Sequence, residues 1–221
     1  AIPAAVAEAL FAERLGVEDR PAALLAREVV PEARLASIRA RVRAIDLGAA
    51  LERELREALD ALRREGNVSF AVRSSSTRED GADASAAGLH QTHLHRQTDA
   101  EVFAAVRDCW ASLFTERALT YLRRHGASEA GMGVVVQAMV VRAKARELIL
   151  GLADDPTFGT VVVFGRGGTA VEIINDKALA LPPLDTLLAR QMIADTRVAR
   201  LLGGYRDRPP AKLDDLVEVL V

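Results

Sequence analysis

The feature that most constrains this chain is a change of apolar period a third of the way along it. Up to about residue 66, Leu10, Leu15, Leu24, Leu25, Val29, Leu35, Ile38, Val42 and Ile45 recur at three- and four-residue steps, the period of a helix face. Residues 47–64 set Leu51, Leu55, Leu59 and Leu62 on one stripe, with Glu and Arg opposite, and Gly66-Asn67 ends that helix with residues that tolerate positive φ. Then the text turns β-like. Residues 68–72 read as a strand, 73–88 as a small polar loop, and 90–95 as a second strand. Residues 99–125 return to helix, with Val102, Val106, Trp110, Leu113, Leu119 and Leu122 inward. Strands are expected over 134–141, 147–152, 160–164 and 170–174, and helices over 184–202 and 211–221.

This order implies an α+β fold, with a helical first part followed by a sheet-rich lobe and flanking helices. The boundary is placed near 126–132, giving lobes 1–131 and 132–221. At 221 residues the chain is long enough to bury a core in each.

Charge narrows the partners. Lys plus Arg number 29 and Asp plus Glu 31, a net charge of −2, so no overall field recruits nucleic acid or anionic lipid and any anion must meet a local site. No apolar run approaches the ~20 residues of a membrane span, so no membrane partner is expected. The opening residues carry Glu8, Glu13 and Arg14 and read as an amphipathic helix, not a signal peptide. Cys109 is the single cysteine, which fits a reducing, cytoplasmic location. The start at Ala1 rather than Met leaves room for residues upstream.

Three segments could carry chemistry. In 73–88, Arg73 leaves a strand and meets Ser74, Ser75 and Thr77. A guanidinium fork matches phosphate oxygens, and small hydroxyl residues let the backbone come close. The competing reading is a surface loop in which Arg73 pairs with Glu79 or Asp80. In 133–141, the end of a buried strand could offer backbone groups to an adenine edge, with Met139 against the ring, or could be core alone. In 164–176, glycines precede Glu172 and Asp176 on an expected strand, and carboxylates beside phosphates commonly hold Mg²⁺, although a Gly hairpin with solvated acids reads equally well. His90, His93 and His95 invite a metal reading, but Cys109 sits in no ligand spacing, and surface or cleft histidines are the simpler account.

Residues 72–88, VRSSSTREDGADASAAG, resemble the signature of the nucleotide-binding domain of phosphoenolpyruvate synthase and pyruvate phosphate dikinase, where Val-Arg-Ser-Ser-x-x-x-Glu-Asp precedes Ala-Ser-x-Ala-Gly. CWASLFTERALTYLRRHG at 109–126 and VVVQAMV at 134–140 match that family's next helix and its hinge strand, so the likeness spans about residues 1–143. Rifamycin phosphotransferases share the domain. Residues 155–185, DPTFGTVVVFGRGGTAVEIINDKALALPPLD, with GGYRDRPPAKLDDLVEVL at 203–220, are similar to the ATP-grasp lobe of ADP-forming acyl-CoA synthetases, over about 145–218.

Both families imply an ATP-grasp fold, ATP and Mg²⁺ as ligands, and passage of phosphate to a mobile histidine on another domain. The resemblance implies that Arg73 contacts ATP phosphates, with Ser74, Ser75 and Thr77 lining the same loop. It implies that Gln137, Met139 and Val140 form the adenine hinge and that Glu172 holds metal. The first family carries a lysine-bearing Gly-rich segment ahead of the matching region, and the second an Asp-x-Asn-Pro metal segment after it; neither lies in this sequence, nor does the phosphohistidine motif, so turnover by this chain alone should be poor. The expected function is therefore the ATP-binding module of a pyruvate, water dikinase-like phosphotransferase. Alternatives are an ADP-forming acyl-CoA synthetase module or a non-catalytic nucleotide-binding module.

Overall fold

The computed structural model describes residues 1–76, 91–124, 131–141, 145–168 and 171–221, with the side chains of Ser76 and Glu172 outside that description. The chain divides into two compact units, Ala1–Val140 and Val141–Val221.

The first unit opens with helices α1 (Ala4–Arg14), α2 (Pro21–Leu25), α3 (Glu32–Arg43) and α4 (Ala49–Arg64). Pro21 occupies the first turn of α2, where its missing N–H costs nothing. The loop ahead of α2 is anchored by Asp19, whose carboxylate accepts from Arg34 Nε at 2.8 Å and Arg41 Nη1 at 2.7 Å. The α4 stripe falls as its spacing requires, with Leu55 and Leu59 buried and Leu51 and Leu62 packed on the same core. Gly66 follows at φ 90°.

Strands β1 (Phe70–Ser76), β2 (Thr92–Arg96) and β3 (Met132–Ala138) form an antiparallel sheet in the order β2-β1-β3. The division into units therefore falls after β3, which pairs with β1 from Met132 to Ala138 and cannot leave it without breaking that ladder. Between β2 and β3 lie α5 (Asp99–Ser112) and α6 (Glu116–Arg124). Thr98 and Glu101 make a reciprocal capping box at the start of α5. The expected single helix over 99–125 is two helices, because Thr115 accepts from the Ala118 N–H at 3.2 Å and starts a new helix. Trp110, Phe11 and Phe114 meet edge to face at the centre of the core.

In the second unit β4 (Leu148–Asp155), β5 (Gly159–Arg166) and β6 (Lys177–Ala180) form an antiparallel sheet. The β4–β5 turn is closed by Asp155, which accepts from the N–H groups of Thr157 and Phe158, with Gly159 at φ 73°. Leu148, Leu150, Val162, Phe164, Ala178 and Ala180 pack one face against α8 (Thr186–Ala194), α9 (Val198–Leu202) and α10 (Leu213–Leu220).

The strand expected over 170–174 is instead one helical turn, α7 (Val171–Ile174). Its β-branched residues favour a strand, but the place beside β5 is taken by Lys177–Ala180. Asn175 at φ 45° turns the chain into that strand.

Candidate functional site

Arg73 and its serines lie on β1, not in a loop. Residues 73–76 pair with β3 as far as Ser76 opposite Met132. A strand alternates its faces, so the pairing sorts the candidates. Phe70 and Val72 point into the helical core and are fully buried. Ser74 shares their parity and lies opposite the buried Val134. Arg73 and Ser75 lie on the other face and are exposed. Across the sheet, Arg73 stands opposite Val135 and Thr92, and Ala71 stands opposite Gln137. Gln137 is thus a diagonal neighbour of Arg73 on the same face, a spacing of about 7–8 Å that long polar side chains can bridge.

Arg73 makes no hydrogen bond or ion pair among the described residues, whereas Arg34, Arg39, Arg41, Arg43 and Arg63 of the same unit are anchored to carboxylates or carbonyls. A free guanidinium with a hydroxyl and an amide on one sheet face is a donor set that fits phosphate oxygens. Thr77, Glu79, Asp80 and His90 lie outside the described residues.

At the hinge, Met139 donates its backbone N–H to Ser69 O at 2.9 Å, so that group is engaged. Val140 follows with no backbone partner among the described residues and is 78% exposed. Its N–H and the Ala138 carbonyl share the parity that faces away from β1.

Glu172 belongs to the second unit, in the backbone turn α7. Asp176, its neighbour on the sequence, has a structural task. Its buried carboxylate accepts from the backbone N–H groups of Arg197 and Val198, both at 2.7 Å, and so anchors the start of α9.

The face of β4–β5–β6 turned from the helices carries two cross-strand rows, Ile149–Gly165–Lys177 and Gly151–Val163–Leu179. A side chain at Gly165 would collide with the Asp176 carbonyl oxygen, so β5 and β6 approach closely there. The result is a low apolar floor edged by Lys177, exposed and without a partner among the described residues. Sequence reasoning missed Lys177 because it drew the strand six residues too early.

Among the described residues, His93 and His95 form no metal site. His93 is half-buried on β2, and burial holds its pKa below the usual value. His95 is exposed at φ 57°. Burial pushes the Cys109 thiol up to about 12, which keeps it protonated. Among the described residues no group of three or more His, Cys, Asp or Glu could hold a metal. No helix among them is long and apolar enough to cross a membrane.

Comparison with known proteins decides what this framework is. The pyruvate phosphate dikinase AMP/ATP-binding domain matches residues 7–153, and an ATP-grasp domain matches residues 104–221. The chain belongs to both families. The matches overlap over residues 104–153, which take in most of α5, all of α6 and β3, and most of β4.

Rifampicin phosphotransferase of a Streptomyces species is 38% identical over 185 residues, 78% of this chain and 21% of its own length. ADP-forming acetate–CoA ligase I of Archaeoglobus fulgidus is 37% identical over 89 residues, 40% of this chain and 13% of its own. The chain thus spans about a fifth or less of these relatives. A solved dinucleotide-forming acetyl-coenzyme A synthetase 1 of Ca. Korarchaeum cryptofilum, in complex with coenzyme A and Ca-AMPCP, shares the fold. Its TM-score is 0.50 at 24% identity, covering 72% of this chain and 63% of that one. The α+β, ATP-grasp-like class and the two-family resemblance read from the sequence both stand, and the chain is a nucleotide-binding module.

Proposed function

We propose that this chain binds MgATP as the nucleotide-binding module of a phosphotransferase of the pyruvate, water dikinase type, from which phosphate passes to a histidine on another domain. The observation that carries the reading is Arg73, unpaired among the described residues, on one sheet face with Ser75 and Gln137 within an AMP/ATP-binding domain.

Phosphoryl transfer asks the protein mainly for positioning and charge neutralisation. Arg73 supplies a fixed positive fork to the phosphates, Ser75 a hydroxyl donor, and Gln137 an amide. Ser74 and Thr77 complete the proposed loop set; the side chain of Ser74 lies on the opposite face, which makes its part the smaller one. The Ala138 carbonyl and the Val140 N–H, both aimed off the free edge of β3, offer the acceptor–donor pair that an adenine edge requires, with Met139 beside the ring.

Magnesium, when bound, supplies charge neutralisation on the phosphate oxygens. Because it keeps waters and phosphate oxygens as ligands, one carboxylate is enough to seat it, and Glu172 is the residue proposed. A cytoplasmic setting is part of the same proposal, since ATP is its ligand.

Calorimetry with MgATP tests the reading directly. Binding in the micromolar to millimolar range that Arg73→Ala weakens supports it; no heat at millimolar nucleotide refutes it.

The match of the second half to ADP-forming acetate–CoA ligase favours one other reading, a module of an acyl-CoA synthetase. Pairing the chain with each family's histidine domain and labelled ATP separates the two. AMP as product supports the dikinase reading and ADP the synthetase. Nucleotide binding without transfer to either domain would mark a non-catalytic module.

A further inference from the structure

Two arginines of the second unit cross each other without a carboxylate. After α9, Gly204 at φ 102° turns the chain back, and Tyr205 and Arg208 close a narrow loop, each N–H donating to the other's carbonyl at 3.1 Å. Within it Arg206 turns at φ 51° and lays its guanidinium over the Tyr205 ring, 5.1 Å from the centre. Ala211 donates its N–H to Leu202 O at 2.8 Å and fastens the loop to the end of α9.

The loop is tied to the segment ahead of β4 by bonds running both ways. Arg146 donates Nη2 to Pro209 O at 2.8 Å, and Arg208 donates Nη1 to Ala145 O at 3.4 Å. Ala145 adjoins Arg146 on the chain and Pro209 adjoins Arg208, so both guanidinium groups lie along one seam. A guanidinium carries five N–H donors, and each of these bonds uses one.

Elsewhere such a strut comes with its countercharge. Arg34, Arg39, Arg41, Arg63 and Arg197 each join a carbonyl bond to an ion pair with Asp or Glu. Arg20 makes a carbonyl bond without one, but it stands singly. Among the described residues, Arg146 and Arg208 are the two that cross with neither paired to an acid. Asp207, between Arg206 and Arg208, is exposed and makes no bond among the described residues. Two like charges on one seam repel, and a doubly charged anion placed against both removes that repulsion and takes up the remaining donors.

We propose that Arg146 and Arg208 form a phosphate site, taking free inorganic phosphate or the phosphate group of a small molecule. A tetrahedral dianion offers each planar fork its own pair of oxygens, which a flat monoanionic carboxylate does not. Arg206, its plane stacked on Tyr205, adds positive charge beside Arg208. The site belongs to the second unit and does not rest on the nucleotide reading of Arg73.

Sodium phosphate, titrated into the 221-residue chain at constant ionic strength, is the probe, followed through the side-chain Nε–Hε signals of Arg146 and Arg208. Both should shift together and saturate, with phosphate binding roughly tenfold tighter than acetate. Binding should tighten as rising pH gives phosphate its second charge, since the guanidinium charge stays constant. Arg146→Gln and Arg208→Gln should each weaken phosphate roughly tenfold. Because Arg208→Gln also removes the tie to Ala145, Asp207→Asn is the second variant; it leaves every bond above in place and should tighten phosphate a few-fold. Phenyl phosphate in a parallel titration separates the sources. Tighter binding than inorganic phosphate assigns the site to a phosphoester, and weaker binding to the free ion.

Signals that do not saturate, or that respond equally to acetate, would overturn the proposal. So would affinity left within twofold by both Arg208→Gln and Asp207→Asn. Phosphate binding should survive Arg73→Ala unchanged; its loss there would place the anion on the first unit and overturn the site, whereas failure of MgATP to bind leaves these outcomes untouched.

Discussion

Replacing Arg73 by Ala isolates the phosphate contact from the fold. The side chain is exposed, and among the described residues its removal breaks no ion pair. The melting temperature should stay within about a degree, since surface changes of this kind fall within roughly 0.5 kcal/mol. Hydrogen bonds to a charged group contribute about 1.5–3 kcal/mol, which corresponds to roughly 10- to 100-fold in MgATP affinity. Arg73→Lys keeps the charge and loses the fork, and should fall between. Titration calorimetry of the three proteins, with thermal melts as the control for folding, gives the answer. Wild-type binding that Arg73→Ala leaves within twofold would refute the reasoning, because a free guanidinium on the binding face would then be contributing nothing.

Four further outcomes follow from the same geometry. Ser75→Ala should weaken MgATP by a few-fold, about the 0.5–1.5 kcal/mol of one ordinary hydrogen bond, and by more than Ser74→Ala, measured by the same calorimetry. A Cβ at Gly151 meets open space on a strand face, so Gly151→Val should fold normally and melt no lower than the wild type, since a β-branched residue suits a strand better than glycine; a lower melting temperature would show that the strand face is not open there. Burial opposes ionisation of Asp19, but Arg34 and Arg41 outweigh it and hold its carboxyl below its ordinary value. Its contribution to stability is therefore full above that value and lost as pH falls through the lower folded one, so an acid melting series should be flatter in Asp19→Asn. Cys109, buried and held protonated, should react with a thiol reagent only after denaturation.

How far the sequence could be read depended on whether local pattern or distant pairing set the outcome. The α4 stripe was legible because its leucines declare both the period and the buried side. The inward residues of α5 and α6 were legible for the same reason, although the break between them rests on one hydroxyl, Thr115, whose capping role a helical period does not reveal. Arg73 to Ser76 looked like a loop because their side chains are small and polar. What makes them a strand is β3, whose partner residues lie 56 to 62 positions further along (132 − 76 = 56, 135 − 73 = 62) and supply the other half of each pair. The Val171–Ile174 turn failed in the opposite sense. Its residues favour a strand, but the ladder beside β5 was already filled by Lys177–Ala180.

These two errors bear directly on function. Reading Arg73–Ser76 as a loop treats its polar residues as one phosphate cradle, whereas a strand divides them, Arg73 and Ser75 to one face and Ser74 to the other. Moving the second strand to Lys177 removes Asp176 from the candidate metal ligands, because its carboxylate anchors α9, and brings a free cation onto an apolar face instead. Residue type alone allowed all of these groups to bind a nucleotide. Parity on the strand and prior engagement of the side chain are what separate Arg73, Ser75 and Lys177 from the rest, and each separation is open to a single substitution.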